Sequence, residues 1–355
     1  KVVNIHIQKI KKSKILDVDM SELGFCKHYS DHMFMCDYEE GKWCKFRIIP
    51  FQDINLSPAC TTLHYGQTIF EGLKAYKNNN DDVLVFRPDK NAERFNKSAE
   101  RMCMPKLPND IFINSIQELL KLDIKWVPKG EKNSLYIRPI CFALDPYIGI
   151  KPADSYRFMV ICGLAGGYYS EPVNVKIETK YTRAISGGVG FSKTAANYAA
   201  ALYPAVQAQK DGFHQLIWTD GKEHKYIEES GTMNIFFVFN DTLVTPPLGD
   251  TVLDGVTRDS ILVLAEKLKI KTEIRKISID EILLNLENGK IKEVFGAGTA
   301  ATIAPIKTIG HLSKNYDIPI PDSSSISSKL LKQLNDIKLG MINDEFNWIL
   351  KIDNE

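Results

Sequence analysis

The sequence predicts a mixed α/β (α+β) fold that is divided into two domains. Segments with helical patterns and segments with strand patterns alternate along both halves of the chain. The length of 355 residues fits two domains, because single domains commonly contain about 100–200 residues. The stretch Ala165–Pro172 consists mostly of small and turn-forming residues, as expected of a linker. We therefore expect a smaller N-terminal domain at residues 1–165, a linker at 166–175 and a larger C-terminal domain at 176–355.

The first half is predicted to combine strands with an amphipathic helix. Apolar side chains recur at helical spacing from Ala92 to Met102, which predicts a helix over Asp89–Cys103 that stops before Pro105. The polar run Asn78–Asp82 predicts a hairpin turn. Segments rich in apolar, β-branched and aromatic residues predict strands at Leu73–Tyr76, Val83–Phe86, Ser134–Phe142 and Tyr156–Leu164.

The second half continues the alternation of strands and helices. Near the C-terminus, the serine-rich turn Ser323–Ser328 is expected to cap a helix over Lys329–Lys338. The same patterns predict strands at Val173–Thr179, Leu216–Thr219 and Ile235–Phe239, and helices at Ala195–Lys210 and Thr257–Leu268.

Composition argues against several function classes. Lys plus Arg total 45 and Asp plus Glu total 44, a formal net charge of +1, so the clustered positive excess needed for nucleic-acid or anionic-membrane binding is missing. The apolar runs are too short to span a bilayer. Seven scattered cysteines without a CxxC pair favour reduced thiols inside a cell. We expect a cytoplasmic location, with a mitochondrial one open if an N-terminal segment was removed.

Lys193 is the first candidate for chemistry. It follows the glycine-rich turn Gly187–Gly190 and precedes an alanine-rich helix. Small neighbours allow a ligand to approach closely, and desolvation lowers a lysine pKa from about 10.4, which frees the amine as a nucleophile or base. The alternative is a solvated loop lysine, the common case in a chain with 45 basic residues. The turn is not a dinucleotide fingerprint, because the third glycine and the downstream acidic residue are missing.

Glu229 is the second candidate, in an acidic pair just before the apolar strand Ile235–Phe239. Such pairs usually lie in solvent-facing turns. A carboxylate that points inward could instead hold a cationic ring nitrogen through a charge-assisted hydrogen bond. At this point both interpretations stay open.

Further segments suggest anion binding. Thr257 begins a helix whose first backbone N–H groups can bind a phosphate, and the turn Phe295–Ala300 exposes several amides. Arg138 lies inside an apolar strand, where an unpaired charge is unfavourable, so we expect a carboxylate or phosphate partner. Arg94 and Tyr136 complete this candidate set.

Two other chemistries are not favoured by the sequence. A zinc site could be drawn from Cys26, His28, His32 and Cys36, but the spacing of these residues lacks the usual CxxC and HxxxH pairs. A GxSxG serine elbow is also missing. We therefore expect no metal site and no serine nucleophile.

Taken in order, these segments resemble the branched-chain amino-acid aminotransferases of fold type IV, a group of pyridoxal-phosphate enzymes that also contains D-amino-acid transaminases and aminodeoxychorismate lyases. The resemblance covers nearly the whole chain, from Phe25 to Gly340. The longer spacing and the Gly-Thr-Met-Asn form look like the eukaryotic-type subgroup. The motifs that carry the resemblance are Leu63-His-Tyr-Gly, Phe70-Glu-Gly-Leu-Lys74, Leu135-Tyr-Ile-Arg-Pro139, Glu229-Ser-Gly-Thr-Met-Asn234 and Phe295-Gly-Ala-Gly-Thr-Ala300.

The resemblance implies the two-domain fold type IV, pyridoxal 5′-phosphate as cofactor, and a ping-pong transfer of the amino group from L-leucine, L-isoleucine or L-valine to 2-oxoglutarate. Lys193 would bind the cofactor covalently and move the α-proton. Glu229 would pair with the pyridine nitrogen, and Tyr198 with the phenolic oxygen of the ring. Arg183 would lie next to the cofactor. The phosphate would be held by Arg94, Val256, Thr257 and Thr299.

The resemblance also implies a substrate pocket. The amides of Thr299 and Ala300, with Tyr65 and Arg138, would receive the α-carboxylate. Lys74 and Tyr65 would meet the side-chain carboxylate of glutamate. The apolar wall would consist of Phe25, Phe70, Tyr136, Tyr168 and Thr232.

A homodimer is the implied assembly, without nucleic-acid or membrane partners. Ile148 and Ile150 match a loop that family members insert into the site of the partner subunit. Ala301 and Ala304 stand where mammalian members carry a redox-active CxxC, so a thiol switch is not expected.

Three alternatives remain at this stage. An aminodeoxychorismate lyase of the same fold would use the same lysine and glutamate, but the pair Tyr136 and Arg138 favours the transaminase. A D-amino-acid transaminase is disfavoured by the Gly-Thr-Met-Asn segment. A catalytically silent homologue is disfavoured by the joint presence of all the reactive residues.

Overall fold

The computed structural model describes residues 4–167, 169 and 171–353. The β-strands in chain order are β1 His6–Ile7, β2 Phe25–Tyr29, β3 His32–Glu39, β4 Lys42–Pro50, β5 Thr68–Phe70, β6 Leu73–Lys77, β7 Val83–Phe86, β8 Ser134–Ala143, β9 Tyr156–Ala165, β10 Val173–Ile177, β11 Gln215–Thr219, β12 Ile227–Ser230, β13 Met233–Phe239, β14 Thr242–Thr245, β15 Thr272–Ile274, β16 Ile291–Gly298, β17 Thr302–His311, β18 Lys314–Asp317 and β19 Ile349–Ile352. The α-helices are α1 Thr61–Tyr65, α2 Pro88–Arg101, α3 Asn109–Leu122, α4 Ala195–Lys210, α5 Val256–Lys267, α6 Ile279–Glu287 and α7 Ile326–Lys338, and short 3₁₀ turns occur at Lys14–Asp17 and Ile124–Trp126. The predicted mixed α/β class is confirmed, and the predicted strands and helices lie within a few residues of these bounds.

The chain folds as two compact units. The first contains the described residues before Tyr169, the short segment Ser192–Ala195 and the described residues from Asp336 onward; the rest forms the second. The change of unit after 168 falls inside the predicted linker. Two segments differ from the predicted division, since both were expected in the C-terminal domain but belong to the first unit. Ser192–Ala195 joins it because Thr194 bridges to Ile69, and the described residues from Asp336 onward join it because β19 pairs with β7.

The first unit is built on a mixed sheet in the order β1-β4-β3-β9-β8-β6-β7-β19, with β2 and β5 added beside β9 and β8. Helix α2 buries the face that carries Ala92, Phe95 and Ala99, which explains the helical spacing in the sequence. Phe95 packs edge-on against Phe158 of β9, with ring centroids 5.5 Å apart. The sheet and helix therefore share one aromatic core.

The second unit is built on a mixed sheet in the order β12-β11-β10-β17-β16-β13-β14-β15, and β18 pairs with β17. Its core consists mainly of isoleucine, valine and phenylalanine from the central strands, including the fully buried Ile235, Phe237 and Ile309. The register pairs Glu229 with Asn234 across the β12–β13 hairpin. This hairpin is the element that positions the acidic pair noted in the sequence.

Helix α7 begins at Ile326, three residues before its predicted start, and its first amides are bound by Glu293. The Glu293 carboxylate accepts the Ile326 N–H at 2.8 Å and the Ser327 N–H at 2.9 Å, and the Ser327 hydroxyl also donates to it. A carboxylate at this end satisfies unpaired amides and complements the helix dipole. An acidic side chain from β16 thus accepts the first amides of α7, an interaction that the serine-rich turn in the sequence did not predict.

All seven cysteines are free thiols. Within the described ranges, no helix has the length and apolar character needed to cross a membrane, and no cluster of metal-ligating side chains forms. Of the cysteines and histidines between Cys26 and Cys36, His32 binds a carboxylate, with its Nδ1 2.6 Å from Oδ1 of Asp123.

Candidate active site

Lys193 is fixed through its backbone in the first unit. Its N–H donates to the hydroxyl of Ser98 at 2.9 Å, and its carbonyl accepts the N–H of Phe70 at 3.0 Å. The neighbouring Thr194 hydroxyl donates to the carbonyl of Thr68 at 2.7 Å. The ammonium nitrogen of Lys193 lies 5.1 Å from the centre of the Phe70 ring. Lys193 is therefore a half-buried residue held by β5 and α2, and the structure does not place it in a solvated loop.

A buried carboxylate, to which the sequence motifs assigned no role, directly follows Phe70, the residue whose N–H binds the Lys193 carbonyl. Glu71 is fully buried, and Arg94 donates to it from Nε and Nη2, both at 2.8 Å. The Asn91 amide donates to the same carboxylate at 2.7 Å. The backbone N–H of Glu71 donates to Pro139 at 2.8 Å. Arg94 is thus oriented by a bidentate ion pair, a geometry with high directional specificity.

The charge of Glu71 is stabilised by its surroundings. Burial by itself would raise the pKa of this carboxyl, but the charge and hydrogen bonds of Arg94, together with the charge of Lys193, hold the pKa below the ordinary glutamate value. The carboxylate is therefore the counter-charge for two basic side chains. The sequence signal was the motif Phe70-Glu-Gly-Leu-Lys74, in which only the flanking residues had been assigned.

Arg138 lies among aromatic side chains. Its Nη2 donates to the Tyr136 hydroxyl at 2.9 Å, and its guanidinium carbon lies 4.6 Å from the centre of the Phe70 ring. Phe25 packs edge-on against Tyr136 at 5.0 Å between ring centroids. Gly72 is required here, because a Cβ at this position would lie 2.2 Å from the Tyr136 hydroxyl. The structure thus brings these predicted pocket residues together. Arg138 contacts a hydroxyl and two aromatic rings, whereas the sequence predicted a carboxylate or phosphate partner.

Lys74 is buried in the same unit. Burial lowers the pKa of Lys74 to about 8, and Cys26 partly opposes this effect. The other predicted residues of this unit lie at the surface. Tyr65 at the end of α1 is exposed, and so are Ile148 (63%) and Ile150 (93%).

In the second unit, the buried carboxylate of Glu229 collects several donors. Oε1 accepts the Leu253 N–H at 2.9 Å and the Asn234 amide at 3.1 Å, and Oε2 lies 2.9 Å from Nη2 of Arg183. The pairing of Glu229 with Asn234 in the hairpin explains the amide contact. The structure therefore answers the question left open by the sequence: Glu229 is buried and held in place, and does not lie in a solvent-facing turn.

Arg183 is itself oriented by the main chain. Its Nη2 donates to the carbonyl of Thr251 at 2.6 Å and to that of Gly190 at 3.1 Å. These contacts tie the glycine-rich turn to the loop before α5. The position of the Glu229 carboxylate is thus supported by a second layer of hydrogen bonds.

The start of α5 carries the predicted phosphate residues Val256 and Thr257, both buried. The cap residue is Gly255, and a Cβ there would lie 2.0 Å from Oδ1 of Asn234. The glycine therefore permits a close approach of the helix start to the hairpin that carries Glu229. Backbone N–H groups at a helix start have no intrahelical acceptor and suit an anion.

The remaining predicted residues of the second unit lie in turns and on α4. Thr299 and Ala300 are half-buried in the turn between β16 and β17. Thr232 is exposed in the turn of the β12–β13 hairpin. Tyr198 is half-buried in the first turns of α4, next to Asn197, whose amide donates to a backbone carbonyl at 2.8 Å. Tyr168 lies outside the described residues.

Comparisons with known proteins agree with this arrangement. Residues 68–309 match the family described as amino-transferase class IV. Branched-chain-amino-acid transaminase 1 of Bacillus subtilis (strain 168) is 42% identical over 339 residues, which cover 94% of this chain and 95% of that protein. Branched-chain-amino-acid aminotransferase 2 of the same organism is 39% identical over 354 residues, with 99% and 97% covered. Among solved structures, the branched-chain amino acid aminotransferase of Thermobaculum terrenum in its PLP form matches with a TM-score of 0.75 and 20% identity over 92% of this chain and 100% of that one, which shows a shared fold.

Proposed function

The chain belongs to the class IV aminotransferase family, and from this premise we propose that it is a branched-chain amino-acid transaminase. The observation that carries the proposal is identity of 39–42% over nearly the full length of relatives bearing that name. The proposed reaction transfers the amino group of L-leucine, L-isoleucine or L-valine reversibly to 2-oxoglutarate. The products are a branched 2-oxo acid and L-glutamate.

The cofactor of this family is pyridoxal 5′-phosphate, and the residues present fit it. Such a cofactor needs a lysine, a fixed carboxylate and free backbone amides. The chain offers the half-buried Lys193, the buried Glu229 and the start of α5, which lies close to Asn234 because Gly255 has no Cβ. When bound, the cofactor supplies an electron-withdrawing ring that stabilises negative charge at the substrate Cα. In the proposal, Arg94, Val256, Thr257 and Thr299 hold the phosphate.

The proton movements are assigned to side chains of this chain. Lys193 would hold the cofactor covalently until the amino group of the substrate takes its place, and the freed Nζ would then move the proton away from the substrate Cα, and back to Cα in the reverse half-reaction. Glu229 holds a proton at the ring nitrogen, and Arg183 keeps the Glu229 carboxylate oriented. Tyr198 donates a hydrogen bond to the phenolic oxygen of the ring.

The substrate pocket is proposed to combine an apolar wall with polar groups. Phe70 and Tyr136, whose rings contact Arg138, and Phe25, which packs against Tyr136, suit branched aliphatic side chains. Tyr168 and Thr232 complete the proposed wall. A methylene difference in such a pocket is worth only about 1–3 kcal/mol, so the three branched amino acids should be overlapping substrates.

Polar groups are proposed to hold the carboxylates of the substrates. Arg138, Tyr65 and the amides of Thr299 and Ala300 receive the α-carboxylate. Lys74 and Tyr65 receive the second carboxylate of glutamate and of 2-oxoglutarate. Burial lowers the pKa of Lys74 to about 8, and a carboxylate bound beside it would raise that pKa again and so favour the charged ammonium.

We further propose a homodimer in the cytoplasm. The strong exposure of the apolar side chains Ile148 and Ile150 supports a subunit contact at this loop, because isolated exposed isoleucines gain from burial against a partner. The size of the purified protein in solution would test the dimer directly.

A visible spectrum of the purified protein, recorded before and after L-leucine is added without an oxo acid, tests the function. We expect a cofactor band that L-leucine bleaches and that 2-oxoglutarate restores. D-Leucine is the matched control, since it differs only in configuration, and it should leave the band unchanged. A response to D-amino acids, or none to leucine, would favour a D-amino-acid transaminase or an aminodeoxychorismate lyase of the same fold. A protein that stays colourless with added cofactor would contradict the proposal.

A further inference from the structure

The segment Phe70–Gly72 contacts three predicted site residues in a row. Phe70 binds the carbonyl of Lys193 through its N–H, and Glu71 binds the guanidinium of Arg94. Gly72 leaves the space that the Tyr136 hydroxyl occupies. Of these three positions, only Glu71 contributes a charged group, and that group is fully buried.

Stability alone gives no reason for a charged pair at this place. Burying two charges requires their desolvation, and well-packed apolar residues of similar volume are often equally stabilising or better. Glu71 nevertheless receives two of the five N–H donors of Arg94, both from one edge of the guanidinium, and is locked further by Asn91. Such a fork fixes both the position and the rotation of the arginine plane.

The charges around Glu71 connect it to the lysine as well. Arg94 and Lys193 are both basic, and each acts electrostatically on the Glu71 carboxylate. Without the carboxylate, α2 would carry an uncompensated buried guanidinium one turn before Ser98, the residue whose hydroxyl binds the Lys193 N–H. A nearby cation disfavours protonation of a basic nitrogen, whereas a nearby anion favours it.

We propose that Glu71 is a positioning residue of the cofactor site: it fixes the guanidinium of Arg94 for phosphate binding and supplies the negative charge that balances Arg94 beside Lys193. This inference rests on the proposed function, in which Arg94 holds the phosphate and Lys193 binds the cofactor. Glu71 acts through these two residues and does not itself touch the substrate.

Two substitutions at Glu71 separate its shape from its charge. Glu71→Gln keeps the length of the side chain and removes the charge, while Glu71→Asp keeps the charge and shortens the side chain by one methylene. We expect both to raise the dissociation constant for pyridoxal 5′-phosphate by about tenfold or more, because each disrupts the bidentate pair. Only Glu71→Gln should also lower the pH midpoint at which the visible band of the bound cofactor changes, by about half a pH unit or more.

Asp37→Asn is the matched control, because Asp37 is also a buried carboxylate of the first unit with a two-point contact to an arginine. Arg157 binds it at 2.7 and 3.2 Å. Asp37→Asn should lower the thermal midpoint of unfolding and leave both the cofactor affinity and the spectral midpoint at the wild-type values. A purely structural role for Glu71 predicts the same pattern for the Glu71 variants.

The outcomes separate this inference from the proposed function. Wild-type cofactor affinity in Glu71→Asp, or a wild-type spectral midpoint in Glu71→Gln, would overturn the inference. If Glu71→Gln does not fold, Glu71→Asp alone decides through its affinity, since it retains the counter-charge. A wild-type protein that binds the cofactor but does not respond to leucine would overturn the proposed substrate. The cofactor affinities of the Glu71 variants would still decide the role of Glu71. A wild-type protein that does not bind the cofactor would overturn both.

Discussion

Arg183 and Glu229 form a buried ion pair in which Nη2 of the arginine lies 2.9 Å from Oε2 of the glutamate. The same Nη2 atom donates to two backbone carbonyls, so the main chain sets the position of the guanidinium and the guanidinium in turn orients the carboxylate. The two residues are 46 positions apart in the sequence, and neither is informative alone. Because of this contact, the Glu229 carboxylate is a hydrogen-bond acceptor with a fixed position.

Arg183→Lys should impair turnover although it preserves the charge. Lysine presents a single ammonium group and cannot reproduce the contacts of the guanidinium with the carboxylate and the carbonyls. A misplaced Glu229 is expected to lower kcat by about tenfold to a hundredfold with a smaller change in KM. Steady-state kinetics with L-leucine and 2-oxoglutarate measure both constants. Wild-type kcat in this variant would show that Glu229 does not depend on Arg183.

Lys193→Ala should abolish transamination. The amine of Lys193 is assigned both the covalent bond to the cofactor and the movement of the α-proton, and loss of such a group removes at least about 10⁴-fold in rate. The assay is formation of L-glutamate from L-leucine and 2-oxoglutarate. Lys180→Ala, at an exposed lysine, is the control and should retain wild-type activity. Near-normal turnover in Lys193→Ala would refute the assigned role.

Gly255→Ala should weaken cofactor binding more than it weakens the fold. The added Cβ would lie 2.0 Å from Oδ1 of Asn234, so the start of α5 or the hairpin residue must shift. We expect the dissociation constant for pyridoxal 5′-phosphate to rise by about tenfold, because the helix amides move away from the anion. Gly249→Ala is the control, since its Cβ would meet nothing within 4 Å. Equal affinities in the two variants would contradict a phosphate site at this helix start.

The free energy of unfolding should depend on pH through Lys338, a buried lysine at the end of α7. Burial, with a contribution from the charge of Lys74, lowers the pKa of Lys338 to about 7. In the unfolded chain the same group titrates near 10.4, so between these pH values the unfolded state binds more protons. Stability attributable to this group therefore rises from pH 7 to pH 10, by at most about 1.4 kcal/mol per pH unit.

Urea unfolding of wild type and Lys338→Met at pH 7, 8 and 9 measures this contribution. The side chain packs near the rings of Phe86 and Tyr76, which should accept a methionine. We expect the stability advantage of Lys338→Met over wild type to shrink as the pH rises. Lys332→Met, at an exposed position of the same helix, should follow the wild-type pH dependence. A constant difference across this pH range would mean that Lys338 is charged in both states.

Local patterns in the sequence predicted the fold class and most elements. The helix α2 follows from the spacing of Ala92, Phe95 and Ala99, since one face is buried, and the strands β8 and β9 follow from their apolar runs. Short elements stabilised by distant partners could not be found in this way. Strand β19 has four residues and owes its existence to pairing with β7.

Residues of the candidate site were predicted as members of motifs, but their contacts were not. Glu71 lies 23 residues from Arg94, and the sequence gives no periodic signal for an ion pair between a strand end and a helix. Glu293 binds the start of α7 from 34 residues away. Phe70 likewise reaches Arg138 only because β5 pairs with β8 in the folded sheet, and Phe25 of β2 packs against Tyr136 only in the fold. The roles of the site residues stay predictions until the variants above are measured.

The pairing of β19 with β7 has a consequence for biosynthesis. During translation, β7 leaves the ribosome long before the strand that pairs with it, because Ile349–Ile352 lie far later in the chain than Val83–Phe86. Until then β7 is an unpaired edge strand whose side chains are all apolar, Val83–Phe86, and such edges tend to pair with other chains. The sheet of the first unit is thus completed only after the residues of the second unit have been made, and nascent chains stalled before residue 349 should be the ones that most need chaperones.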